Sequence, residues 1–127
     1  MAKQKTILVV DDASLVRLYY RSTLQAAGFK IEEAMNGIEA LEKLSSKPVD
    51  LLIVDVNMPQ MDGFTFLSLL RQKQGAVGSI PALVTSTESG QKDFAAARAA
   101  GANYYLVKPI PPETLVKFAA VFCGLPQ

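Results

Sequence analysis

Three carboxylates, a hydroxyl and an ammonium stand at the ends of apolar runs in this chain. Asp11 and Asp12 follow "KTILVV", Asp55 follows "LLIV", Ser86 closes "PALVTS" and Lys108 closes "NYYLVK". An acid delivered off a buried strand needs a partner or a purpose, because an unpaired buried charge is strongly disfavoured. If the runs ending in Asp11-Asp12 and Asp55 are neighbours, three carboxylates converge on one small mouth. They would repel and take up protons unless a cation sits among them. A hard divalent ion answers that need, and Mg²⁺ suits one or two direct carboxylates with water completing its octahedron. Carboxylate, metal, hydroxyl and ammonium together suit phosphoryl transfer, which spreads charge over three equatorial oxygens. The metal and Lys108 can neutralise that charge, and Ser86 can donate a hydrogen bond to one oxygen. An aspartate can be the nucleophile, giving an acyl phosphate, so Asp55 is expected to accept a phosphoryl group. Plainer explanations exist: the acids as helix caps, Lys108 as a solvated lysine, and Ser86 as a turn hydroxyl.

Alternating short apolar runs and helical stretches must position these groups. Strands are expected at 5–10, 29–34, 50–54, 81–86 and 103–108. Helices are expected at 14–27, 37–46, 63–73, 90–100 and 112–123, with "QGAVGSI" as a loop. Gly28 and Gly101 stand where left-handed helix stops belong. Asn36-Gly37 is read as a strand-to-helix turn because helical periodicity follows it. Five strand–helix units imply parallel strands with right-handed crossovers and helices on both faces, an α/β fold. Near-continuous apolar runs at the first, third and fourth strands agree with a sheet covered on both sides. A dinucleotide fold is disfavoured, since "VVDDASLVR" offers no glycine-rich turn after the first strand.

The 127 residues fit one domain, expected to span 1–127, with half of them apolar and a fifth charged. A formal net charge of +1 gives no electrostatic case for nucleic acid or membrane. No apolar run is long enough to span a bilayer, and the N-terminus lacks a signal-peptide pattern. The single cysteine, Cys123, excludes an internal disulfide and fits a reducing, cytoplasmic location. It reads as a small apolar filler. With no histidine, Ser-His and Cys-His pairs and histidine metal sites are excluded.

Asp11-Asp12, "VDVNMPQMDG", "TS" and "KP", in this order on five alternating units, resemble the receiver domains of bacterial response regulators. Within that family the likeness is to the single-domain chemotaxis type, CheY, and it covers essentially the whole chain. The resemblance implies a doubly wound, five-stranded, flavodoxin-like sheet of order 2-1-3-4-5. It implies Asp55 as phosphoacceptor, Asp12 and Asp55 as direct Mg²⁺ ligands, the Asn57 backbone carbonyl as a third, and Asp11 acting through water. Lys108 would hold the phosphoryl group, and its bond to Pro109 would be cis. "TST" offers three hydroxyls, and the separation of 22 residues from Lys108 selects Ser86 over Thr85 and Thr87. Tyr105 falls where the family places a rotating aromatic, although strands carry tyrosine for packing reasons too. Asn57 and Glu88 fall where dephosphorylation rate is tuned, and the pair suggests a short-lived phosphoryl state.

The same resemblance implies a two-component signalling protein rather than a metabolic enzyme. A histidine kinase or phosphotransfer protein would supply the phosphoryl group, in a chemotaxis-type or phosphorelay role. With no output domain expected after the last helix, output would pass through a target protein. "LVKFAAVFC" in that helix carries more apolar surface than one buried stripe requires. This surplus is either a wide buried stripe or a docking and weak self-association face formed by the fourth helix, fifth strand and fifth helix. Two rivals remain: an aspartate-nucleophile phosphatase, which would want a carboxylate where Asn57 stands, and a binding module that works without phosphorylation.

Overall fold

The computed structural model describes residues 4–125; residues 1–3 and 126–127, the ends of the expected 1–127 domain, lie outside the described residues. The strands are β1 (Thr6–Val10), β2 (Lys30–Ala34), β3 (Leu51–Asp55), β4 (Ala82–Ser86) and β5 (Tyr104–Val107). The helices are α1 (Ser14–Ala26), α2 (Gly37–Leu44), α3 (Gly63–Arg71), α4 (Gln91–Ala100) and α5 (Pro112–Phe122). Every strand pairing is parallel, in the order β2-β1-β3-β4-β5. This is the doubly wound sheet expected.

The pleat divides the core in two. Leu8, Val10, Leu52, Val54, Ala82 and Val84 face α2, α3 and α4, where Phe66, Leu67 and Leu70 meet them. Ile7, Val9, Leu51, Ile53, Leu83 and Leu106 face α1 and α5, under Tyr20, Leu24, Leu115 and Ala119. All five residues of β3 are buried, so its four apolar side chains are each worth about 1.5–3 kcal/mol of transfer free energy. The edge strands β2 and β5 are partly exposed.

Departures from the expected bounds are of one or two residues, with one addition. Within "QGAVGSI" a short 3₁₀ turn forms at Ala76–Ser79. Gly78 is required there, because a Cβ would overlap the Lys73 carbonyl. Gly28 and Gly101 take positive φ of 98° and 104°, as helix-stopping glycines do. The Cys123 thiol is buried, and burial pushes it up to about 11, in keeping with a filler rather than a nucleophile.

The end of the sheet away from the strand carboxyl termini is held by Arg71. Its guanidinium donates to the carbonyls of Gly101 (2.9 Å), Gly78 (3.2 Å) and Ile80 (2.7 Å), and to Asn103 Oδ1 (3.2 Å). The same Asn103 oxygen accepts from the Ala82 amide at 2.9 Å, so one side chain ties the entries of β4 and β5 to α3. Replacing Arg71 by Met should cost about 2–3 kcal/mol, since several part-buried acceptors lose their donor together. Urea unfolding would show this as a lower midpoint with an unchanged slope.

Candidate functional site

Strand parity brings the acids and Lys108 together. Two residues beyond Val9, Asp11 keeps to the α1/α5 side of the sheet; Ile53 leads to Asp55 and Leu106 to Lys108 in the same way. β1 and β3 are adjacent, whereas β5 lies beyond β4. The long lysine stem spans that gap. Lys108 Nζ lies 3.0 Å from Asp11 Oδ2 and 3.0 Å from Asp55 Oδ1. Asp11 is 1% exposed and Asp55 6%, so this ammonium is the counter-charge that makes their burial tolerable.

Asp11 uses its other oxygen to accept from the Ala13 amide at 2.9 Å. Asp12 is exposed, yet one oxygen from each of Asp11, Asp12 and Asp55 lies within 4.8 Å of the others. The capping explanation fails for Asp12: Ala13 is the N-cap of α1, and no side chain caps it. Burial pushes the Asp55 carboxyl above its ordinary value, and Asp11 and Asp12 add to this; the hydrogen bond and charge of Lys108 pull it down without cancelling the rise. Burial alone would weaken the Lys108 ammonium, but its bonds to Asp55 and Asp11 outweigh that and hold it above its ordinary value. Three carboxylates against one ammonium leave excess negative charge, and the free donor atoms are all oxygen. That donor set fits a hard dication such as Mg²⁺.

The other expected residues form a second group. Ser86 is buried and follows the parity of Val84, toward α4. Its Oγ accepts from the Glu88 amide at 3.1 Å. The Glu88 carbonyl in turn accepts from the Tyr105 hydroxyl at 2.8 Å. Tyr105 is half-buried, in register with Val84, and packs edge-on against Phe94 with ring centroids 4.8 Å apart. Asp11, Asp12, Asp55 and Lys108 are thus one set; Ser86, Glu88 and Tyr105 are another. Asn57 is exposed on the loop beyond β3, and the Lys108–Pro109 peptide is cis. Thr85, in register with Asp55, is fully buried with its hydroxyl 3.5 Å from the Val54 carbonyl, as suits a strand residue.

Gly63, expected from the sequence as the first residue of a helix, has a second role. Its amide donates to the Val56 carbonyl at 2.9 Å, folding the loop so tightly that a Cβ would overlap the Asp55 carbonyl oxygen. Asp62 beside it caps α3, its carboxylate accepting from the Thr65 amide at 3.0 Å. The Asp-Gly pair therefore starts the helix and lets the loop close over Asp55 at once.

Residues 7–120 match the response regulator receiver domain family. The chain belongs to that family. This receiver domain is 37% identical over 120 residues to chemotaxis protein CheY1 of Helicobacter pylori, covering 93% of this chain and 96% of that one. It is 39% identical over 110 residues to response regulator MprA of Mycobacterium tuberculosis, covering 87% of this chain and 46% of MprA. Among solved structures it is similar to chemotaxis response regulator CheY4 of Vibrio cholerae, with a TM-score of 0.87 and 37% identity over 94% of this chain and 99% of that one. The receiver domain is of the CheY type, a switch of two-component signalling. Among the described residues no helix is long and apolar enough to cross a membrane.

Two outcomes follow for the receiver domain's acidic mouth. In metal-free protein the Asp55 carboxyl carbon should titrate above the ordinary aspartate value by NMR, and higher still in Lys108→Met. Between the unfolded and folded titration points the native state binds more protons, so this carboxyl costs stability as pH rises through that window. A divalent cation should bring the titration down; a curve at or below the ordinary value without metal would contradict the arrangement. Gly63→Ala should push the loop off Asp55, costing about 1–3 kcal/mol of stability by thermal melting.

Proposed function

We propose that Asp55 accepts a phosphoryl group from the phosphohistidine of a sensor kinase or phosphotransfer protein, or from a small acyl phosphate. The observation that carries this reading is the Lys108 ammonium held 3.0 Å from both Asp11 and Asp55, in a cluster with excess negative charge. An Asp55 oxygen attacks phosphorus in line as the donor's N–P or O–P bond breaks; the electron pair leaves with the donor, and an acyl phosphate forms. Asp11, Asp12, Asp55 and the Asn57 carbonyl would hold Mg²⁺, which supplies neutralisation of the phosphoryl charge. Lys108 moves its hydrogen bond from the Asp55 carboxylate to a phosphoryl oxygen. Ser86 turns to donate its hydroxyl hydrogen to a second phosphoryl oxygen, and that turn carries its Oγ away from the Glu88 amide. Attack of water on phosphorus later returns the free carboxylate. Asn57 and Glu88, both exposed and two residues past Asp55 and Ser86, set how readily water enters.

The signal leaves on the α4 side. When Ser86 releases the Glu88 amide, the carbonyl that anchors the Tyr105 hydroxyl shifts with it, and Tyr105 is free to turn toward the space Ser86 leaves. The α4–β5–α5 face then changes shape. Tyr104 stacks on Phe118 at 4.6 Å there, and Tyr104 and Val121 are 46% and 48% exposed. This face binds the downstream target protein and permits at most a weak dimer. The likeness to chemotaxis proteins points to a chemotaxis-type or relay role.

Intact-mass spectrometry tests the chemistry. With acetyl phosphate and Mg²⁺ the protein should gain the mass of one phosphoryl group, Asp55→Asn should gain none, and Lys108→Met should react about a hundredfold more slowly. Ser86→Ala should still be modified but lose the Tyr105 response seen by side-chain NMR. Steady hydrolysis of small phosphomonoesters, or no mass gain at all, would overturn this reading.

A further inference from the structure

The helix that begins behind Asp11 and Asp12 has no capping side chain at its N-cap position. The N-cap is Ala13, and the first turn of α1 has no acidic residue. A further hold on the turn comes from one helical turn on. Arg17 NH1 donates to the Asp11 backbone carbonyl at 2.6 Å, while its Nε donates to Glu33 Oε1 on β2 at 3.1 Å. Arg17 is mostly buried, with 15% of its side chain exposed. Glu33 is itself fixed: its second oxygen takes Arg21 at 2.6 Å, and its backbone carbonyl accepts from Lys43 on α2.

We infer that Arg17, seated on Glu33, is a positioning residue that presents the Asp12 carboxylate to a divalent cation; this rests on the proposed reading of the acidic mouth. Two bonds bracket Asp12. On one side Arg17 fixes the carbonyl of Asp11; on the other the Asp11 carboxylate fixes the amide of Ala13. Asp12 is exposed and gets its direction from these neighbours. A planar guanidinium can serve a carbonyl and a carboxylate at once, which a lysine ammonium on a flexible stem does poorly. Glu33 only partly offsets the positive charge of Arg17, since it also pairs with Arg21, so the strut's own charge disfavours a cation in the mouth. Groups one step behind metal ligands commonly govern affinity by fixing ligand orientation.

Charge alone and positioning predict opposite signs, which makes the inference testable. Were Arg17 only a nearby positive charge, its removal would tighten Mg²⁺ binding. As a strut, its removal must weaken it. Backbone-amide NMR titrations with MgCl₂ on the intact chain should show Arg17→Met binding about tenfold or more weakly than wild type. Arg17→Lys, which keeps the charge but not the fork, should also bind severalfold more weakly, and it carries the test if Arg17→Met fails to fold. In metal-free protein the Ala13 amide should exchange with solvent faster in these variants, while amides within β3 keep their protection. Unchanged or tighter Mg²⁺ binding in the folded variants would overturn the role of Arg17. Wild-type protein that binds no Mg²⁺, or binds it equally well as Asp12→Asn, would instead overturn the reading of the acidic mouth itself.

Discussion

The bond from one lysine to two buried acids is the constraint on which the rest of this receiver domain depends. Lys108 is the shared counter-charge of Asp11 and Asp55, and Asp12 joins the same cluster. A site with equal charges would be a structural ion-pair network, satisfied and inert. This one is left short of positive charge, with Asp55 held above its ordinary titration range by burial first and by its acidic neighbours after that. The shortfall is what makes the mouth receptive to a dication. The hydrophobic strands supply the force that maintains it: Leu51 to Val54 are entirely buried, and Asp55 cannot retreat to solvent without dragging β3 out of the core.

The sheet also sends the acidic cluster and the Ser86–Tyr105 pair to different sides. Alternation along the strands sends Asp11, Asp55 and Lys108 to the α1/α5 side and Ser86 and Tyr105 to the α4 side. Glu88 is where the two meet, its amide on Ser86 and its carbonyl on Tyr105. In the proposed switch Ser86 donates its hydroxyl hydrogen to a charged phosphoryl oxygen, a bond roughly twice as strong as a neutral one worth about 1 kcal/mol net, and turning to do so draws its Oγ off the Glu88 amide. That difference is modest, so the two arrangements stay close in free energy, and a single covalent event can shift the balance between them.

Much of this was legible from residue patterns, for identifiable reasons. Strands β1, β3 and β4 are buried on both faces, so each is an unbroken apolar run and its end marks a site position. Strand order is different: parallel strands of similar composition do not encode their neighbours, and the order 2-1-3-4-5 came from family likeness alone. The splitting of Ser86 from the acids follows from a period of two and could have been counted in advance. The parts that were not legible are tertiary contacts to backbone. Arg17 reaches a carbonyl six residues back, Arg71 reaches the carbonyls of Gly78, Ile80 and Gly101, and Gly63 is required by the Asp55 carbonyl. No local periodicity signals such contacts. The apolar surplus of α5 was ambiguous for the same reason: Phe118 is partly buried against Tyr104, while Val121 faces outward.

The most direct measurement is a crystal structure of the protein with Mg²⁺ and beryllofluoride, a mimic of the phosphoryl group. The account predicts beryllium bonded to an Asp55 oxygen, Lys108 and the Ser86 hydroxyl each on a fluoride, and the Glu88 amide released from Ser86. Beryllofluoride seated away from Asp55, or Lys108 still bridging Asp11 and Asp55 with Ser86 unmoved, would contradict it.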